Sequence, residues 1–322
     1  TFAAIFGILT VLGLYFLTEA LFKSERLALL SSFFMATSFW HINFSRIGFR
    51  AILTPFFLVW SFYFLWSAIA KKSDFSSPAF ISKNNNDPTA NPKEEKSTFS
   101  PVILSVIAGI LFGLGFHSYI AFRVAPLLLI IPFILMWRNK QKKLILIFLL
   151  VTFIVALPIG LYFLKNPQDF FGRSSQVSIF ASQFPAATLG FNIVKTVGMF
   201  FVWGDNNWRH NLRGAPELWW PVAVLFLIGI WQTAKRVAAR MKIAGEAIFL
   251  LLWLVVLLIP TVISSEGLPH ALRGIGVIPA VMILAAIGLE WIIVKVLDWH
   301  KKKLEQFPAY FRQLMRIRKQ LT

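Results

Sequence analysis

The chain has 322 residues, of which 57% are hydrophobic and 14% charged; it has no Cys, and its formal net charge is +18. A soluble domain is about half apolar and a quarter charged, so this chain needs lipid to cover it, and the lack of Cys excludes disulfides and thiolate metal sites. A charge of +18 would suit a nucleic-acid partner, but Lys and Arg retained on the cytoplasmic side of a membrane give the same total; their distribution along the chain decides.

A spanning helix needs roughly 20 mostly apolar residues. Nine stretches qualify in chain order: 2–22, 27–44, 51–70, 102–122, 124–137, 144–164, 218–234, 247–264 and 274–294. The fifth is short, and either tilts or forms a broken hairpin with the fourth. Nine spans put the two ends on opposite sides. One set of loops then holds only nine of the 32 basic residues: Arg46, Arg50, Arg123, Lys165, Arg173, Lys195, Arg209, Arg213 and Arg273. The other set is cytoplasmic by the positive-inside rule, which leaves the C-terminus inside. The charge thus segregates by loop, and nucleic acid drops out as a partner in favour of the lipid bilayer.

The expected organisation is a transmembrane unit over 1–299 and a basic cytoplasmic tail over 300–322. Residues 71–100 are polar, with an Asn run and mixed charge, and read as a disordered cytoplasmic linker. Residues 165–217 form a long external loop. Within it, 189–203 suits a helix on the membrane surface better than a tenth span, because Lys195 would otherwise sit in mid-bilayer. The tail carries Phe, Tyr, Leu and Met among its basic residues, as an interfacial helix on anionic lipid would. No internal repeat is evident, which weakens a transporter built from inverted halves.

The minority basic residues cluster where spans emerge. His41, Arg46 and Arg50 form one group; His117, Tyr119 and Arg123 a second; Asp205, Arg209 and His210 a third; Glu266, His270 and Arg273 a fourth. Guanidinium binds phosphate through paired hydrogen bonds, and imidazole can donate to it or exchange a proton. Each group also has a plainer reading. Arg46 and Arg50 lie four apart on one helix face and could reach lipid phosphate. His117, Tyr119 and Arg123 could be ordinary helix-end residues. The Gly, Asp and Asn residues of 204–211 are turn formers, and Glu266 could simply pair with Arg273. The histidines are too far apart in sequence for a local metal motif such as H-E-x-x-H.

The run FWHINFSRIGFR at 39–50 resembles the P-W-H-x-x-F-S-R-x-G-x-R stretch of bacterial membrane glycosyltransferases of the GT-C type. These are relatives of the protein O-mannosyltransferases and the lipid A aminoarabinose transferases. GDNNWRHNLRGAP at 204–216 resembles their G-D-x-N-x-R-H-N-x-x-G-x-P, and EGLPHALR at 266–273 their E-G-x-P-H-x-x-R. The resemblance implies an all-α polytopic membrane fold of GT-C type. It further implies a hexosyl or pentosyl transferase that takes sugar from a polyprenyl-phosphate donor to a glycan, lipid or protein acceptor. The site would lie on the extracytoplasmic face of a multi-pass protein, in a bacterial plasma membrane.

The family pattern places an acidic catalytic residue in the loop after a first span. Thr1 falls inside an apolar run, so that span, its loop and the general base are expected upstream of Thr1. The residues expected to bind donor phosphate or substrate are His41, Arg46, Arg50, Tyr119, Arg123, Asp205, Arg209, His210, Glu266, His270 and Arg273. The motifs call for no cofactor and no metal ligands, and leave a divalent cation open. The alternative is a non-enzymatic transporter or flippase of lipid-linked glycans. It would need charged residues along a path through the membrane, and the spans carry few.

Overall fold

The computed structural model describes residues 2–76, 99–176, 179, 183–241, 244–265, 267–305 and 316. Most of the expected linker (77–98), most of the tail beyond 305, and Glu266 lie outside the described residues. Among the described residues the regular elements are all helical. They run α1 (Phe2–Phe22), α2 (Glu25–Thr37), α3 (Phe39–Arg46), α4 (Leu53–Ser76), α5 (Pro101–Gly115), α6 (Ile130–Arg138), α7 (Lys142–Lys165), α8 (Pro167–Gln176), α9 (Pro185–Gly198), α10 (Trp220–Ala238), α11 (Ala244–Val262) and α12 (Ile278–Glu305). Tighter 3-10 segments lead into α4, α6 and α12.

The chain is a polytopic helical membrane protein, and among the described residues seven helical segments are long and apolar enough to cross a bilayer. All nine stretches read from the sequence are helical, but two differ from simple spans. α2 and α3 bend by 58° at Ser38. That residue is extended, and its hydroxyl accepts the His41 amide to start α3 afresh. α5 stops at Gly115 after 15 residues, about 22 Å of helix against a hydrocarbon core of about 30 Å. The chain then turns and re-enters as the 3-10 segment Ile120–Leu129.

Lipid-covered helices pack without much hydrophobic drive between them, so close backbone approach matters more than in water. α10 and α12 show it. A methyl group on Gly229 would sit 1.8 Å from the Leu284 carbonyl oxygen, and one on Gly288 would sit 2.0 Å from that of Leu225. Large apolar residues fill the interior, among them Trp40, Phe62, Phe112, Phe122, Phe249 and Trp253. Trp253 is satisfied there by the Gly276 carbonyl at 2.8 Å. The outer face of α7 carries exposed Leu146, Leu149, Leu150, Phe153 and Ile154, as lipid contact requires.

The turns divide between two ends of the bundle. At one end Lys23, Lys140 and Arg240 follow α1, α6 and α10 in the left-handed region, with φ of 53°, 58° and 49°. Glycine is the usual residue there, and a side chain costs on the order of 1 kcal/mol. A basic residue at each of these three caps complements the helix C-terminus and keeps positive charge at that end. The opposite end gathers α3, the 116–119 turn and the loops that follow α9 and α11.

Candidate functional site

The loop over 199–217 is tied to itself. Gly204 N–H donates to the Gly214 carbonyl at 3.2 Å, and Glu217 N–H to that of Met199 at 2.8 Å. Gly204 is required because a methyl group there would meet the Ala215 carbonyl oxygen at 2.0 Å. Asp205 makes a local turn, its Oδ1 accepting the Asn207 amide at 2.8 Å. Asn207 and Asn211 do likewise for Arg209 and Leu212. The asparagines of the motif are therefore turn formers, and the chemistry is left to Asp205 and His210.

Asp205 is buried and accepts at its other oxygen from two directions. His210 Nδ1 lies 2.8 Å from Oδ2, and the Ala271 amide donates to the same atom at 2.9 Å. His270 Nδ1 is 3.7 Å away. The His210 and His270 rings stack at 5.0 Å, and Phe44 and Phe49 close the other sides of His210 at 5.9 and 6.0 Å. Trp40 Nε1 donates to the Ala271 carbonyl at 3.2 Å, and the Asn43 amide group to that of Arg209 at 3.0 Å. Segments 39–50, 204–216 and 267–273 thus meet at one place.

Protonation follows from this packing. Burial pushes the Asp205 carboxyl up, but hydrogen bonds from His210, Asn207 and Ala271 and the nearby His270 outweigh it and hold the group below its ordinary value. His270 is lowered to about 4, first by burial and then by the Arg273 and His210 charges, against the pull of Asp205. Glu217, which sequence reading used only as a loop boundary, is pushed up to about 8, chiefly by burial. Its Oε1 accepts the Asp205 amide at 3.1 Å. Only the packing reveals this buried acid.

Beside the cluster is a cavity of about 720 Å³. Arg50, Tyr119, Arg123, His270 and Arg273 line it with His117, and Phe116, Ile120, Val124, Ile159 and Phe163 supply apolar wall. Arg123 donates to the Phe170 carbonyl at 2.9 Å and lies over the Phe163 and Phe170 rings. Arg273 donates to the Ser264 hydroxyl. Asp169 also lines the cavity and accepts the Tyr162 hydroxyl at 2.5 Å. Sequence reading passed over Asp169 and Tyr162 because neither is close in sequence to a motif; Ser264 stands two residues before the 266–273 motif and was not among the expected binding residues.

His41, Arg46 and Arg209 stand apart. His41 is buried on a different side of α3 from Trp40 and Phe44, with Nε2 3.1 Å from the Gly7 carbonyl oxygen. It lines a separate pocket of about 590 Å³ with Arg46, between α1 and the bent α2–α3 pair. The reason is helical phase: positions 40 and 44 share a face, and 41 and 45 share the next. Arg209 is exposed and lies over the Trp208 ring at 5.6 Å. Glu266 is not among the described residues.

Two solved structures share this arrangement of helices. One is the Archaeoglobus fulgidus oligosaccharyltransferase in its apo form, with a TM-score of 0.55 and 16% identity over 99% of this chain and 43% of that one. The other is ArnT from Cupriavidus metallidurans bound to undecaprenyl phosphate, with a TM-score of 0.54 and 15% identity over 98% of this chain and 48% of that one. The fold is GT-C. The chain spans less than half the length of either protein. No family model and no curated protein matches its sequence.

Proposed function

We propose that this chain is the GT-C unit of a membrane glycosyltransferase whose sugar donor is carried on a polyprenyl phosphate. The observation that carries the reading is the cavity wall. Arg50, Arg123 and Arg273 come from three separate segments and face one space that also has an apolar wall of Phe116, Ile120, Val124, Ile159 and Phe163. A lipid phosphate has that same division between anionic head and hydrocarbon chain. The ArnT structure is of a protein bound to undecaprenyl phosphate, which supports this class of ligand. The charge bias between the two ends supports an extracytoplasmic position for the cavity.

In this reading the acceptor oxygen attacks the anomeric carbon as the bond to the carrier phosphate breaks, and the acceptor proton passes to a base. The chain's arginines act on the leaving phosphate, whose negative charge grows in the transition state. Arg123 is held by Phe170 and its neighbouring rings, and Arg273 by Ser264, so neither has to be ordered when the lipid arrives. The sugar is a hexose or pentose unit, and the acceptor a glycan, lipid or protein.

The test is binding and turnover with polyprenyl phosphate and its sugar-charged form. Arg273→Ala should lose roughly 2–4 kcal/mol of stabilisation, about ten- to several-hundred-fold. Arg273→Lys should fall between, since it keeps charge without paired geometry. Undiminished binding and turnover in Arg273→Ala and Arg50→Ala alike would refute the assignment.

A further inference from the structure

Two loops separated by some sixty residues deliver three lone-pair donors to one point. Asp205 Oδ2, His210 Nδ1 and His270 Nδ1 belong to groups whose coordinating atoms all lie within 4.8 Å of one another. Pairing between Asp205 and His210 accounts for part of this. It leaves His270 Nδ1 buried without a hydrogen-bond partner, 3.7 Å from the carboxylate oxygen. A buried polar atom in that state is costly, and a hydrogen bond to Asp205 would need it about 0.8 Å closer.

We propose that Asp205, His210 and His270 form a binding site for a divalent transition metal ion of the zinc class. One carboxylate oxygen with two imidazole nitrogens is a donor set that suits zinc and its first-row neighbours. Ligands about 2.0–2.1 Å from a tetrahedral metal stand about 3.3 Å apart. The observed separations of 2.8 and 3.7 Å from Asp205 Oδ2 lie on either side of that value, so each imidazole stands within about half an ångström of metal-ligand spacing from the carboxylate oxygen. Binding takes the place of the proton between His210 Nδ1 and Asp205, with His210 then protonated on Nε2. It also gives His270 Nδ1 the partner it lacks. The Ala271 amide on Asp205 Oδ2 and the Trp40 bond to the Ala271 carbonyl stay in place and fix the carboxylate. Because His270 lines the basic cavity, the ion would sit in its wall.

This inference does not depend on glycosyl transfer, and its test needs no activity. The full chain, purified in detergent and stripped with a chelator, is titrated with Zn2+ and with Co2+. The expected result is one ion per chain by elemental analysis, a visible Co2+ absorption band of low-symmetry coordination, and a Tm raised by several degrees. His270→Gln should weaken binding at least about ten-fold, since even removing a ligand's supporting partner commonly costs 10–100-fold. Asp205→Asn can fail to fold, so His270→Gln, on the more exposed member of the cluster, carries the test, with folding checked by its metal-free Tm. His300→Gln, at the far end of α12, should bind as the parent does. Substoichiometric binding by the folded parent, or equal binding by folded His270→Gln, would overturn the site.

Discussion

Glu217 and Asp205 are neighbouring buried acids with opposite protonation, and the difference comes from hydrogen bonding. Asp205 accepts from Asn207, Ala271 and His210, whereas Glu217 accepts only the Asp205 amide at Oε1 and leaves Oε2 without a partner. The sign of the pH dependence follows. Glu217 binds its proton more tightly folded than unfolded, so stability is full below its ordinary value of 4.5 and is lost as pH rises through about 8. Asp205 behaves oppositely: its contribution is present above the unfolded value and lost as pH falls below it. Melting in detergent between pH 5 and pH 9 should show a loss on the order of a few kcal/mol in the parent and a much smaller one in Glu217→Gln. An unchanged slope in that variant would remove Glu217 as the cause.

At the scale of elements, α9 is inside out for a helix in water. Its buried positions are Asn192 and Thr196, while Phe191, Ile193, Val194 and Val197 are exposed. Asn192 donates to the Val262 carbonyl at 2.8 Å and the Ser264 carbonyl at 2.7 Å. It thereby satisfies the end of α11 just where Ser264 meets Arg273. An exposed apolar face with a polar inner face is what a helix at the lipid boundary needs. Spin labels at introduced cysteines test this, and the Cys-free chain makes them clean. A label at Val194 should relax with oxygen and resist a water-soluble nickel reagent. Collision of that label with the nickel reagent would place α9 in water. Sequence reading expected a surface helix over 189–203, whereas α9 covers Pro185–Gly198 and gives way to turns. Pro185 starts it, and the loop closing on Gly204 competes with its continuation.

For the whole molecule the open property is orientation. The cavity lies at the end away from Lys23, Lys140 and Arg240, and the positive-inside rule predicts an extracytoplasmic position for that end. In intact cells a membrane-impermeant maleimide should label Asn207→Cys, and should reach Lys140→Cys only after permeabilisation. The reverse pattern would invert the protein and move the proposed transfer to the cytoplasm.

Hydrophobic runs and charge bias were enough to determine the helices and the membrane, because a spanning segment must satisfy its own backbone whatever its neighbours are. The motifs likewise singled out Asp205, His210, His270 and Arg273 as candidates, since polar residues at span ends stand out against an apolar chain. Tertiary structure alone decided how those residues divide. The Ser38 bend and the phase of α3 turn Trp40 toward Ala271 and Phe44 toward His210, and send His41 to Gly7. Asp169 joins the cavity only because α8 folds back beside Arg123, and Glu217 is an unusual acid only because the loop closes over it. Helix phase after a bend and burial within a loop depend on contacts distant in sequence, and no local pattern encodes them.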